Sequence, residues 1–290
     1  MKLVTYVYEG IEKIGVLTAD EKKVCPIDRF SSMNELIENA DEKAMAEIKQ
    51  LSAEGKGAID YDAVIKKAPI PRPKQDVICL GINYSEHAKE SERFDKEAFG
   101  GDRPCAIYFS KRVNEAPTDG DDICGHFDIV SKLDYEAELG VIIGKDAKNV
   151  ALEDVKDYIF GYTVINDVSA RNVQTAHKQW YFGKSLDGFT PMGPCILTAD
   201  EVSYPPVLRI TARINGELRQ NSTTDLLIND IDHIISELSH GFTLQAGTII
   251  ATGTPSGVGM GMTPPCFLND GDVVECEIEK IGKLRNRMVK

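Results

Sequence analysis

Apolar and polar residues alternate from the first positions of the chain. KLVTYVYE (residues 2–9) and KIGVLTA (13–19) each carry the period of two that marks a strand, and the Gly10 region joins them. The period then changes to that of a helix, and NELIENADEKAMAEIKQL (34–51) predicts one amphipathic helix. These elements predict a small β-rich lobe over residues 1–72. It ends in KKAPIPRPKQ, where Pro69, Pro71 and Pro73 exclude both a helix and a central strand and leave an extended linker.

From residue 73 to 290 the pattern is dominated by strands: QDVICLGIN, CAIYFSK, EAELGVIIG, YIFGYTVINDV, PCILTA, VLRITARING, TIIATGT and DVVECEIEKIGKL. Helical spacing is confined to NYSEHAKESERF, LEDVKDYI, SARNVQTAHKQ and DHIISELSH. Strands without regular helix alternation predict a β-dominated α+β fold and argue against a Rossmann or barrel architecture. Asn215-Gly216 is the residue pair of a tight hairpin turn.

Composition narrows the class. The 290 residues are 42% hydrophobic and 27% charged, as in ordinary globular proteins, and the net charge of −13 supplies no basic stripe for nucleic acid. The first residues lack the pattern of a signal peptide, and no apolar run approaches a membrane span. Seven cysteines, an odd number with no CxxC pair, fit reduced thiols. A soluble, cytoplasmic protein is expected.

The candidate chemistry starts with KLDYEAELGVIIG (132–144), a strand pattern that contains carboxylates. Alternation puts Glu136 and Glu138 on one face, and Asp134 on the same face. One reading is the wet face of a half-exposed strand. The other adds Asp167, at the end of the β-branched run GYTVIND, to make a three-carboxylate site for a hard cation such as Mg2+ or Mn2+. Asp167 could instead cap the helix that follows, with Ser169 as a competitor. In GINYSEHAKES, His87 and Glu90 share a helix face, and a carboxylate beside an imidazole fixes its tautomer and raises its basicity. Lys184 falls in FGKSLDGFTPMGP, which is too rich in Gly and Pro to predict a regular element. IIATGTPSGVGMG runs from a strand into a loop that offers N–H groups and hydroxyls to an anion.

In order, GINYSEHAKE, LDYEAELGVIIG, GYTVINDVSARNVQ, GKSLDGFTPMGP, NGELRQ and TGTPSGVG resemble the fumarylacetoacetate hydrolase family, from about residue 75 to the end. The resemblance implies a homodimeric enzyme with a mixed β-sandwich roll as its catalytic domain, acting on a small-molecule 2-oxo acid. It also implies metal ligation by Glu136, Glu138 and Asp167, a water-activating dyad of His87 and Glu90, and enolate stabilisation by Lys184. Arg171, Gln174 and Thr254 are placed against the substrate. Where the family's tyrosine-catabolic member has a further metal-binding aspartate, this chain has Leu80, which argues for the shorter bacterial-type members.

The activity that these residues predict is metal-dependent hydrolysis of a C–C bond in a 2,4-dioxo acid, releasing pyruvate through an enolate. Oxaloacetate decarboxylation, isomerisation of a 2-hydroxymuconate-type dienol, and binding of metal and 2-oxo acid without turnover use the same residues. The polar run 88–104 is expected to form a mobile lid that orders on substrate binding.

Overall fold

The computed structural model describes residues 1–101 and 104–290. Its first hairpin follows the alternation: β1 (Lys2–Tyr8) and β2 (Ile11–Leu17) pair antiparallel, with Leu3 opposite Val16 and Tyr8 opposite Ile11. β3 (Lys23–Pro26) pairs with β2 on its outer side. The region expected as one helix is two, α1 (Met33–Asn39) and α2 (Glu42–Glu54). Asp41 accepts the N–H of Ala44 and starts the second helix afresh. Apolar spacing runs across the break because Leu36, Ile37, Ala44 and Ile48 all pack into the same cluster.

After β4 (Ile59–Asp60) and β5 (Ile65–Lys67), the proline-rich segment, expected as an extended linker, runs through a series of bends and is packed against the sheet. Ala68 to Pro71 are buried, and Pro69 accepts a hydrogen bond from Thr5 Oγ1 at 2.7 Å. β6 (Val77–Gly81) leads into α3 (Ser85–Phe94) and the short α4 (Lys96–Phe99). Residues 88–94 and 96–99 of the expected lid are therefore helical, while 102 and 103 lie outside the described residues. β7 (Ile107–Lys111) and β8 (Asp122–Cys124) follow.

The acidic strand is interrupted. β9 (Leu133–Asp134) and β10 (Ala137–Ile143) are separate, with Tyr135 and Glu136 between them. β11 (Ile159–Asn166) runs antiparallel to β10, β12 (Ser169–Ala170) pairs with β9, and α5 (Arg171–Ala176) and α6 (Tyr181–Lys184) follow. Lys184 thus ends a one-turn helix, not a loop, and LEDVKDYI is a 3₁₀ stretch over Leu152–Tyr158. Neither Asp167 nor Ser169 caps α5, whose N-cap residue is Ala170.

The chain closes with β13 (Met192–Thr198), β14 (Arg209–Ile214), β15 (Glu217–Thr223), α7 (Ile231–Gly241), β16 (Ile249–Ala251), β17 (Val273–Ile278) and β18 (Gly282–Val289). Asn215 and Gly216 join β14 to β15 with φ of 50° and 85°, the left-handed pair that a two-residue hairpin turn requires.

One sheet runs β4-β3-β2-β1-β13-β11-β10-β16-β6-β7, with β5 also on β1, and a second runs β15-β14-β17-β18-β8. The strands of the N-terminal segment continue the larger sheet through the pairing of β1 with β13. Between the sheets lies a core that includes Val141, Val164 and Leu197 from the larger sheet and Ile210, Cys276 and Leu284 from the smaller. The opposite face of the larger sheet packs Ile142, Ile165 and Ile196 with Leu36 and Ile48 of α1 and α2. β10 and β11 are therefore covered on both sides and read as near-continuous apolar runs. This β-dominated α+β architecture is the fold class that the sequence predicts. Among the described residues, no helix is long and apolar enough to cross a membrane.

Candidate active site

Because β10 and β11 are buried on both faces, carboxylates carried there cannot reach bulk water. Glu136, Glu138 and Asp167 are 4%, 1% and 0% exposed, which overturns the wet-face reading. One oxygen from each lies within 4.8 Å of the others, so the chain fold brings the three expected metal ligands to one point. Glu138 sits on β10 itself. Glu136 precedes it with its N–H on Asn166 Oδ1 at 3.0 Å, and Asp167 follows β11 with its N–H on the Glu136 carbonyl at 2.8 Å. These crossed bonds fix the two strand ends against each other.

Cations partly balance the cluster. Lys184 Nζ bridges Glu136 Oε2 at 2.7 Å and Asp167 Oδ2 at 2.8 Å. The buried Lys111, at the end of β7, pairs with Asp167 Oδ1 and donates to the Val168 carbonyl at 3.0 Å. Arg171 Nη2 lies 2.6 Å from Glu136 Oε1, out of line for a hydrogen bond, while Nε reaches Asp134 Oδ2 at 2.9 Å and Nη1 donates to Gln174 Oε1 at 3.2 Å. Asp134, eligible as a ligand by alternation, is turned elsewhere by the break at Tyr135.

Four carboxylates, those of Asp134, Glu136, Glu138 and Asp167, thus meet three cations, those of Lys111, Arg171 and Lys184. Among the described residues, Glu138 is the member without an ion pair. It accepts the Gly253 N–H at 2.8 Å. Burial, with Asp167 and Glu136 nearby, pushes its carboxyl well above the ordinary range. Burial acts the same way on Glu136, but Arg171 and Lys184 outweigh it and hold that carboxyl far below its usual value. Lys184 is raised, since Asp167 and Glu136 overcome the opposing effect of burial, so it stays an ammonium. Lys111 is lowered, chiefly by burial. An oxygen-only donor set with one unneutralised carboxylate fits a divalent cation such as Mg2+ or Mn2+.

Helix α3 supplies the remaining groups. His87, Glu90 and Ser91 on α3 are buried, and His87 Nδ1 lies 2.9 Å from Glu90 Oε1. A carboxylate can only accept, so it fixes the imidazole proton on Nδ1 and leaves Nε2 basic, 3.5 Å from Ser91 Oγ. Glu90 in turn accepts the Gly257 N–H at 3.1 Å.

His87, Glu136, Glu138, Arg171, Gln174, Lys184 and Thr254 line one narrow cavity together with Ser91, Phe99, Phe109 and Trp180. It leaves about 10 Å³ open to the centre of a water-sized molecule. Phe99 of α4 packs against Trp180 with the rings tilted and their centroids 5.7 Å apart, and Trp180 meets Phe109 edge-on at 5.4 Å. These aromatic walls, Ser91 and Lys111 escape the sequence reading; a lysine closing the apolar run CAIYFS was the available signal for Lys111.

Two expectations for the glycine loop change. Its N–H groups do face anions, but these are the protein's own: Gly253 donates to Glu138, Gly257 to Glu90, and Gly259 and Met260 to Asp134. The hydroxyl of Thr254, expected to hold a substrate carboxylate, donates to the Ala137 carbonyl at 2.9 Å and accepts from Gln220 Nε2 at 2.7 Å. Its proton is already committed.

The sequence model for the family described as fumarylacetoacetate (FAA) hydrolase C-terminal matches residues 76–289. An oxaloacetate tautomerase of Bacillus subtilis (strain 168) is 41% identical over 286 residues, covering 96% of this chain and 93% of that protein. The structure of a fumarylacetoacetate hydrolase from psychrophilic Exiguobacterium antarcticum is 37% identical with a TM-score of 0.81, over 100% of this chain and 99% of that one. A maleylpyruvate hydrolase from Sphingobium sp. SYK-6, solved in complex with manganese (II) ion and pyruvate, is 29% identical with a TM-score of 0.77, over the same shares of each chain.

Proposed function

As a member of the fumarylacetoacetate hydrolase family, the chain is an enzyme of a group that includes tautomerases and hydrolases, and we propose that it uses a divalent cation to move a proton on an enolisable 2-oxo acid of the oxaloacetate type. The observation that carries this reading is the His87–Glu90 pair, whose imidazole lines one narrow cavity with two members of a buried three-carboxylate cluster. Likeness to an oxaloacetate tautomerase along almost the whole chain supports the substrate class.

A cation held by Glu136, Glu138 and Asp167 would polarise the 2-oxo group and offset the charge of the enolate. The residues of the chain do the rest. His87 Nε2 takes the enol hydroxyl proton and returns one to C3, so a single base converts enol to keto with no net gain or loss of atoms. Glu90 holds the Nδ1 proton in place throughout and stabilises the imidazolium formed midway. Lys184 and Arg171 keep fixed positive charge beside the developing enolate, where it is worth more in the transition state than in the ground state. Phe99, Phe109 and Trp180 exclude water.

Hydrolysis of a 2,4-dioxo acid is the second reading. It uses the same dyad to deprotonate water, and likeness to the maleylpyruvate hydrolase supports it. The deciding experiment incubates the protein and Mg2+ with enol-oxaloacetate, an acylpyruvate, a 2,4-dioxo sugar acid and a hydroxymuconate, following loss of the enol chromophore and release of pyruvate. Enol-oxaloacetate should ketonise faster than with Mg2+ alone. His87→Ala should slow this by about 10²-fold or more while the metal stays bound, the usual scale for a positioned acid or base. Ketonisation no faster than with Mg2+ alone, with pyruvate from the acylpyruvate, would transfer the assignment to hydrolysis.

A further inference from the structure

Asp134 is fully buried, does not line the cavity, and is not among the three carboxylates that could share a cation. Its oxygens are nevertheless saturated. Oδ1 accepts the N–H groups of Tyr135 at 3.0 Å and Gly259 at 2.6 Å, and Oδ2 accepts Met260 N–H at 3.0 Å and Arg171 Nε at 2.9 Å. Four donors meet the roughly four lone-pair sites of a carboxylate. Two of the bonds go to the turn Gly259–Gly261, and one goes to the arginine that faces Glu136 and Gln174.

The same turn carries α3 on its other side. A Cβ at Gly261 would lie 2.3 Å from Glu90 Oε2, and one at Gly259 would lie 2.7 Å from Asp134 Oδ1. The turn is therefore a thin spacer between Asp134 and Glu90, thin because both ends are glycine. One unbroken set of contacts runs from Arg171 through Asp134 and the turn to Glu90, and from there to His87.

We propose that Asp134 is a positioning residue that couples the grip of Arg171 on the substrate's carboxylate end to the seating of α3 and its His87–Glu90 pair. This rests on the reading of the cavity as a 2-oxo acid site. Because one carboxylate holds both the guanidinium and the turn, an anion that orders Arg171 also orders the platform under Glu90. A purely structural Asp134 would alter stability and leave ligand response untouched.

The test uses oxalate, which carries the paired oxygens of a 2-oxo acid enolate, together with Mg2+. In the unaltered protein, oxalate with Mg2+ should slow amide hydrogen exchange at Gly259 and Met260. Asp134→Asn places an N–H₂ group among donors. It should weaken oxalate binding and raise KM about tenfold or more, the usual scale for a partner that orients a binding group, with a smaller loss in kcat and unchanged Mg2+ affinity in the absence of oxalate. If that variant does not fold, Arg171→Lys decides, because it keeps the charge, drops the Nε bond, and should abolish the slowing at 259 and 260. Exchange at these amides unaffected by bound oxalate, or an Asp134→Asn protein with unaltered oxalate affinity and KM, would overturn the coupling. Failure of the unaltered protein to bind oxalate with Mg2+ would instead remove the site reading, and the coupling with it.

Discussion

Glu138 shows how a single residue can report on the whole site. Without a cation, burial keeps its carboxyl protonated well above the ordinary 4.5, whereas in the unfolded chain the proton leaves near that value. Folding therefore takes up a proton in this window. The contribution to stability is complete below 4.5 and is lost as pH rises toward the raised value. In EDTA, the melting temperature of the unaltered protein relative to Glu138→Gln should fall as pH increases from about 4.5. Saturating Mg2+ should remove the trend, because the bound cation holds the carboxylate ionised. A pH-independent difference in EDTA would show that Glu138 is not the uncompensated carboxylate. The three-carboxylate cluster itself was legible: a glutamate pair two residues apart in an apolar run, and an aspartate closing another, are local patterns. Lys111 and the real place of Asp134 were not, since each depends on groups distant in sequence meeting at one point. Asp134 also escapes alternation, which stops applying where β9 and β10 separate at Tyr135.

At the scale of elements, the hairpins and the buried strands follow the period of their side chains closely, and the failures share one cause. Apolar spacing tells which residues face the core but not whether the backbone is continuous between them. The α1–α2 region keeps helical spacing through Ala40 and Asp41 because both helices lie on the same sheet face, so only the capping residue reveals the break. Asp41→Ala should lower stability by about 1 kcal/mol in urea unfolding without altering metal affinity, since it removes the acceptor for the Ala44 N–H. No loss of stability would mean that the cap contributes nothing to α2. The same limit explains Lys184: Gly and Pro nearby disguised a single helical turn whose last residue aims its ammonium at Glu136 and Asp167.

For the molecule as a whole, the proline-rich segment marks a boundary in composition, and the proposed division at residues 72 and 73 can be tested as a boundary in folding. β1 pairs with β13, and Thr5 binds the Pro69 carbonyl, so a fragment of residues 73–290 would leave β13 as a bare edge and uncover Ile165 and Ile196. That fragment should aggregate or unfold without a cooperative transition; cooperative unfolding with retained Mg2+ binding would make the N-terminal segment an independent unit. The β-dominated class was readable because strand periodicity is local, whereas the joining of both segments into one sheet is a long-range pairing that no local pattern encodes. The narrowness of the cavity behind α3 bears on how fast the protein can work. Under the proposed reading a 2-oxo diacid must enter beside His87 and Phe99, where about 10 Å³ is open to the centre of a water-sized molecule, so entry is expected to need α3 to lift. Ligand association is then paced by that opening: its observed rate levels off at high ligand concentration, well below the rate of diffusional collision.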